Sequence, residues 1–425
     1  MLELVSNIYE VRSIAFGDST FYKEGVLSIN RAEVEALIRE DENVGEITLS
    51  LTKPGDSARI VHVWDVIEPR TKVDGPGAIF PGWLDAPISY AEGTMNRMPG
   101  AAVVTCTEYS PDSDAYTVQC ESIIDMSGPA AEICPYSQTN NLVMEILPRD
   151  KMSIPEHNKM VTKAGLKIAK YLADVTIGQV PSKTETYALG KKNPNLPNVA
   201  LLLVVSGSTA ALDTYINGFS CVGIMPTLIH PNEILQGSLV ASTALVASIK
   251  NFTYDYQNNA LINELFKDNG VKHNFVGVVV ERGYAYEYDD KVRLSSHAAN
   301  LIRHLEADGV IITSEGGGNI LLETMLACRE CEERGIKTAI VMSEFCGHQG
   351  TGSPFVDSVP EADLIVSTGN TEELMEFPEM EVAYGGKTWI ATDVPSNKAI
   401  KRSIYDTVAS ANSMLGHAKL KAYDY

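Results

Sequence analysis

Two apolar periodicities divide the chain. Over the first 150 residues, short apolar runs alternate with polar positions at the two-residue period of half-buried strands. Strands are predicted at 26–29, 46–51, 58–66, 101–105 and 142–147. Asn30 stands where a cap is needed for a helix over 31–39. Lys53-Pro54-Gly55-Asp56 reads as a turn, and the stretch from Asp74-Gly75-Pro76-Gly77 to Phe80-Pro81-Gly82 as loop. Residues 153–173 switch to helical spacing, with Val161, Leu166, Ile168, Ala169 and Leu172 apolar. Residues 181–197 are polar, contain KKNPNLPN, and read as a linker or long surface connection.

Beyond this connection the pattern changes to short apolar runs separated by helices. Strands are predicted at 199–205, 275–280, 309–313, 337–342 and 364–367, with 301–307 closing one helix and 321–334 forming another. Gly-rich loops follow two of these strands, at 314–319 and 344–353. The alternation implies α/β architecture: a β-rich N-terminal part, then a parallel layered α/β domain with helices on both faces. The expected division is 1–150 for the β-rich domain, 151–197 for helix and linker, and 198–425 for the α/β domain. No internal repeat of 20–50 residues is visible.

Composition narrows the function classes. Lys and Arg number 34 against 55 Asp and Glu, a net charge of −21, which opposes electrostatic nucleic-acid binding. The 44% hydrophobic and 21% charged fractions exclude disordered, collagenous and coiled-coil chains. No apolar run reaches membrane-spanning length, so no membrane contact is expected. MLELVSNIYEVRS lacks the basic-then-apolar order of a secretory signal. Seven cysteines, an odd number at irregular spacing, point to reduced thiols and a cytoplasmic protein.

Several segments carry candidate chemistry. Ser314-Glu315-Gly316-Gly317-Gly318-Asn319 forms a strand–loop–helix in which glycines expose backbone N–H groups to a small anion. It is neither G-x-G-x-x-G nor a P-loop, and glycines there also serve simply to turn the chain. Glu344-Phe345-Cys346-Gly347-His348 follows the next strand. Ligands of open α/β sheets bind beyond the carboxyl ends of strands, so Glu315, Glu344 and His348 could share one crevice. The bland alternative is an exposed polar loop.

Cys328 and Cys331 share a helix face but lack a second pair for zinc, and read as half-buried thiols. His230-Pro231-Asn232-Glu233 offers an acid/base residue or a helix cap. Glu68-Pro69-Arg70 reads as a turn with an internal ion pair, and Asp125-Met126-Ser127-Gly128-Pro129 as a turn.

In chain order, GVLSINRAEVEALI, KPGDSARIVHVWDVIEPR, GAIFPG, IIDMSGPAAE, LDTYINGFS, PTLIHPNEILQG, KNFTYDYQNN, NFVGVVV, SEGGGN and VMSEFCG give the sequence a family resemblance. It resembles the alpha/beta proprotein of component B of the glycine, sarcosine and betaine reductases over essentially its whole length. The resemblance implies a chain cleaved at an Asn-Cys peptide, whose cysteine becomes a pyruvoyl group. That carbonyl forms a Schiff base with the substrate amine. A cysteine or selenocysteine of a partner subunit then attacks the carbon bearing nitrogen.

Here the sequence departs from the family. Between HPNE and KN-x-TY, ungapped counting places Thr243-Ala244 where Asn-Cys is expected. Alanine has neither a nucleophile for an acyl shift nor a leaving group on Cβ, so no pyruvoyl cofactor is expected. Ser242, Thr243 and Ser248 are displaced alternatives for processing. The first reading is therefore a reductase-complex subunit, part of a hetero-oligomer. It binds a small substrate jointly with a thiol- or selenocysteine-bearing partner for reductive bond cleavage, without a pyruvoyl group.

On this reading the catalytic candidates are His230, Glu233, Glu315 and Glu344. The substrate-binding candidates are Ser314, Gly316, Gly317, Gly318, Asn319 and His348, and no metal ligand is expected. The alternatives are a noncatalytic scaffold or regulatory paralogue, and a pyruvoyl-dependent amine reductase subunit processed at a nearby Ser. A third reading, a free-standing racemase-like or lyase enzyme, requires Cys346 or Cys221 in a crevice with a low pKa.

Overall fold

The computed structural model describes residues 2–108, 121–208, 213–242, 251–405, 407–418 and 421–424. Cys120, Thr243, Ala244 and Ser248 lie outside the described residues.

The first part is built from small sheets around one long helix. Val44–Thr52, Asn140–Pro148, Ala101–Cys106 and Val63–Ile67 form a four-stranded sheet in that order. Helix Ile154–Asp174 packs on it, burying Val161, Leu166, Ile168, Ala169 and Leu172. Its start is fixed by a capping box between Ser153 and Glu156. Helix Arg31–Ile38 begins as its sequence predicts, with the Asn30 side chain accepting from the N–H groups of Ala32 and Glu33.

The apolar run predicted as one strand at 58–66 is two. Ala58–Ile60 and Val63–Ile67 belong to different sheets, separated by His62 in a left-handed conformation (φ 53°). The polar connection at 181–197 also contains an edge strand, Lys183–Tyr187, antiparallel to Leu4–Ile8. Its alternation of threonine and charged residues suits a strand paired on one side.

The second part is a seven-stranded sheet. From one edge its order is Thr227–Ile229, Asn274–Gly283, Asn198–Ser206, Gly309–Ser314, Lys337–Glu344, Leu364–Asn370 and Lys421–Asp424. The five middle strands are parallel and the two outermost antiparallel. Side-chain alternation splits the central strand between two cores. Ala200, Leu202 and Val204 face helices Tyr288–His304 and Asn319–Glu332. Leu201, Leu203 and Val205 join Ile262 and Leu265 of helix Ala260–Lys267 on the other side. Helices thus cover both faces. The second core is continuous with Leu4, Val103 and Leu142 of the first part.

The chain then turns back. Phe377, Trp389, Ile404 and Val408 pack with Ala58, Ile60 and Ile124, and Val382–Tyr384 pairs with Ala58–Ile60. Arg59, fully buried, holds this return in place. It binds Asp125 through both oxygens (2.6 and 2.9 Å), donates to the carbonyls of Pro378 and Ser396, and stacks on Trp389. No helix among the described residues is long and apolar enough to cross a membrane.

Candidate functional site at the carboxyl edge of the sheet

Strands Gly309–Ser314 and Lys337–Glu344 are parallel neighbours, so the loops that follow them emerge side by side. The two Gly-rich loops meet at one contact. The Phe345 ring lies directly over Gly317, and a Cβ at Gly317 would fall 2.0 Å from Phe345 Cζ. Only glycine permits this approach. Gly316 and Gly318 have positive φ (84° and 70°), and Gly318 leads into helix Asn319–Glu332.

Beside this contact lies a polar cavity of about 340 Å³, lined by Glu344, Cys346, His348, Asn370, Glu373 and Tyr405, among others. Glu344 is 9% exposed. Its Oε2 accepts from the Cys346 thiol (3.3 Å), whereas Oε1 has no partner. Burial, helped by Glu344, pushes the Cys346 thiol up to about 11. The Asn370 carboxamide ties the loop down, accepting from Cys346 N (3.1 Å) and donating to Gly347 O (2.8 Å). His348 is exposed, with Nδ1 against Glu372 O (2.8 Å). No Lys or Arg lines the cavity, so its field favours cationic or neutral polar groups.

The remaining candidates sit elsewhere. Glu315 turns away from the cavity and is buried, accepting from Ser206 N and Thr214 Oγ1. His230 caps helix Pro231–Leu235: its Nδ1 accepts from Asn232 N, while Glu233 accepts from His230 N. Burial lowers the imidazole to about 4, consistent with a neutral ring used as an acceptor. Ser314 is buried against Met414. The structure therefore joins Glu344, His348 and the Gly317 turn, and separates them from His230, Glu233 and the Glu315 carboxylate.

The low-pKa thiol required by a free-standing lyase is not found, since burial raises both Cys346 and Cys221. Cys328 and Cys331, read as half-buried, are fully buried. Cavity residues Asn370, Glu373 and Tyr405 were not among the sequence candidates. The Gly369-Asn370 pair at the end of a predicted strand was the available signal.

The segment leading to Thr243-Ala244 is held firmly up to that point. Strand Leu239–Ser242 pairs antiparallel with Asp213–Ile216, with Ser242 opposite Asp213. Ala241 N donates to Thr253 Oγ1, and Thr253 in turn donates to Asp65. On the flank, Glu68 binds Arg97 (2.8 Å) and Arg70 (3.0 Å), and Asn258 accepts from both arginines. The ion pair expected within Glu68-Pro69-Arg70 is thus present, as part of a buried clamp.

Residues 2–413 match the family described as glycine/sarcosine/betaine reductase component B subunits. The chain is 36% identical over 387 residues to the glycine reductase complex component B subunits alpha and beta of Acetoanaerobium sticklandii, covering 90% of this chain and 88% of that protein. It is 32% identical over 394 residues to the sarcosine reductase complex component B subunit alpha of Peptoclostridium acidaminophilum, covering 91% and 90%. The betaine reductase complex component B subunit alpha of the same organism is 31% identical over 404 residues, covering 92% and 89%. No solved structure matches the chain.

Proposed function

The chain belongs to the glycine/sarcosine/betaine reductase component B family, and from that premise we propose that it is a reductase-complex subunit working without a pyruvoyl group. One observation carries this reading: alanine stands at position 244, where the family's processing cysteine is expected. A pyruvoyl group needs a Cβ heteroatom to eliminate, and Ala244 has none. The displaced alternative Ser242 lies in a paired strand opposite Asp213, within a continuous antiparallel ladder. The residues present do not fit the group.

Without a carbonyl, the substrate must react without forming a Schiff base. That suits an amine already fully substituted, or a leaving group that is not an amine. In this scheme the chain binds and orients the substrate. A thiolate or selenolate of a partner subunit forms the new bond to carbon, the C–N or related bond breaks, and its electron pair departs with the leaving group. The cavity at Glu344 is the proposed binding site. The unpaired Oε1 of Glu344 would face a cationic or hydrogen-bonding headgroup, and the thiol on Oε2 holds the carboxyl in place. His348 and Asn370 complete the polar rim.

Calorimetric titration with betaine, sarcosine and glycine tests the site. The fully substituted amine is expected to bind most tightly. Glu344→Gln is expected to weaken binding by roughly tenfold or more, the scale of a charge-assisted contact at about 1.5–3 kcal/mol. Equal binding by wild type and variant would show that the cavity is not the substrate site.

A further inference from the structure

The charge around the Glu344 cavity is one-sided. Glu344 and Glu373 both line it, and no Lys or Arg does. Glu344 is 9% exposed and its Oε1 has no partner, whereas Glu373 is exposed at the rim. Burial raises the Tyr405 hydroxyl, and Glu373 and Glu344 push it further up, so both carboxylates bear on one point of the lining. The backbone donors of the loop are already engaged. Cys346 N donates to Asn370 Oδ1 (3.1 Å), Gly347 N to Glu372 Oε2 (2.7 Å) and Gly350 N to Gly347 O (3.0 Å). His348 Nδ1 stands 2.8 Å from Glu372 O. A carbonyl oxygen only accepts, so the ring proton sits on Nδ1, and the neutral imidazole keeps Nε2 as an acceptor.

The cavity therefore presents unused acceptors and, while His348 is neutral, no charged donor. An amino-acid zwitterion fits such a site badly. Its ammonium end is attracted, but its carboxylate meets two like charges in a partly enclosed space where screening is weak. A cation whose other end carries a hydroxyl or an amide N–H meets acceptors instead. Tyr405 adds an aromatic side chain, of the kind that receives alkylated ammonium groups. We propose that the substrate is a net cation: a fully substituted ammonium compound whose second polar group is an uncharged hydrogen-bond donor, not a free carboxylate. The inference rests on the Glu344 cavity being the substrate site, and it adds the charge of the molecule bound there.

Calorimetry on the full chain at pH 8 with betaine, its primary amide and choline tests the charge. The amide differs from betaine only by NH2 in place of O−. The amide and choline are expected to bind roughly tenfold or more tightly than betaine. Glu373→Gln is expected to narrow that gap roughly threefold, the scale of an exposed charge, and Glu344→Gln to weaken all three. Where Glu344→Gln does not fold, Glu373→Gln decides, because its side chain is exposed. Betaine binding as tightly as its amide, with Glu344→Gln still weakening it, would overturn the charge preference and leave the site standing. A gap unchanged in Glu373→Gln would also overturn the preference. No binding of any of the three, or binding unaffected by Glu344→Gln, would defeat both the preference and the site.

Discussion

Asp65 shows how a single side chain couples the fold to the segment before position 243. It is fully buried, and its oxygens accept from Thr253 N (2.9 Å), Thr253 Oγ1 (2.7 Å) and Val66 N (2.8 Å). Burial outweighs these bonds and raises its carboxyl from 3.8 to about 7. The folded chain therefore holds a proton that the unfolded chain releases between those values. That difference favours the fold fully below about pH 4 and is lost as pH rises through about 7. At ~1.4 kcal/mol per unit, the effect amounts to a few kcal/mol. Denaturant melts across pH 4–8 are expected to show stability falling with pH in wild type, and a flatter profile in Asp65→Asn. Parallel profiles would show that Asp65 does not carry the dependence. Asp65 was not legible as a site in the sequence: it sits in an apolar strand, and its partner Thr253 lies 188 residues away.

At the level of elements, the decisive contact is between the two Gly-rich loops. Gly317→Ala would drive a methyl group into the Phe345 ring, forcing the Glu344–Cys346 turn away. Overpacking of this kind costs about 1–3 kcal/mol. The variant is expected to melt earlier and to lose substrate affinity, and Phe345→Ala in the same chain is expected to restore much of the stability. Strictly additive losses would mean the two residues act separately. The glycine run and the strand–loop–helix order were readable from sequence, because glycine and apolar periodicity are local signals. The direction of each carboxylate was not. Glu315 and Glu344 follow adjacent parallel strands, yet one is taken by Ser206 N and Thr214 while the other reaches the cavity. His230 was readable as either acid/base or cap. The cap follows from its partners Asn232 and Glu233, two and three residues away.

Over the whole molecule, the chain's return binds its two parts together. The alternation of strands and helices was sufficient to expect a parallel sheet. It carried no sign that Trp389 and Phe377 would pack on Arg59, more than 300 residues earlier in the chain. Arg59→Ala would leave Asp125 buried without its counter-charge, a loss of about 3–5 kcal/mol. It is expected to loosen residues 377–404 first, seen as faster hydrogen exchange there than in the seven-stranded sheet. Uniform exchange would contradict a role confined to the return.

The proposed reaction of this component B subunit does not use a pyruvoyl carbonyl. Intact mass under denaturing conditions, with and without hydroxylamine, tests it most directly. One species at the full 46.2 kDa that gains no adduct is expected. Two fragments, the C-terminal one beginning between Ser242 and Ser248 and taking up the reagent, would contradict it and return the protein to carbonyl-dependent amine reduction.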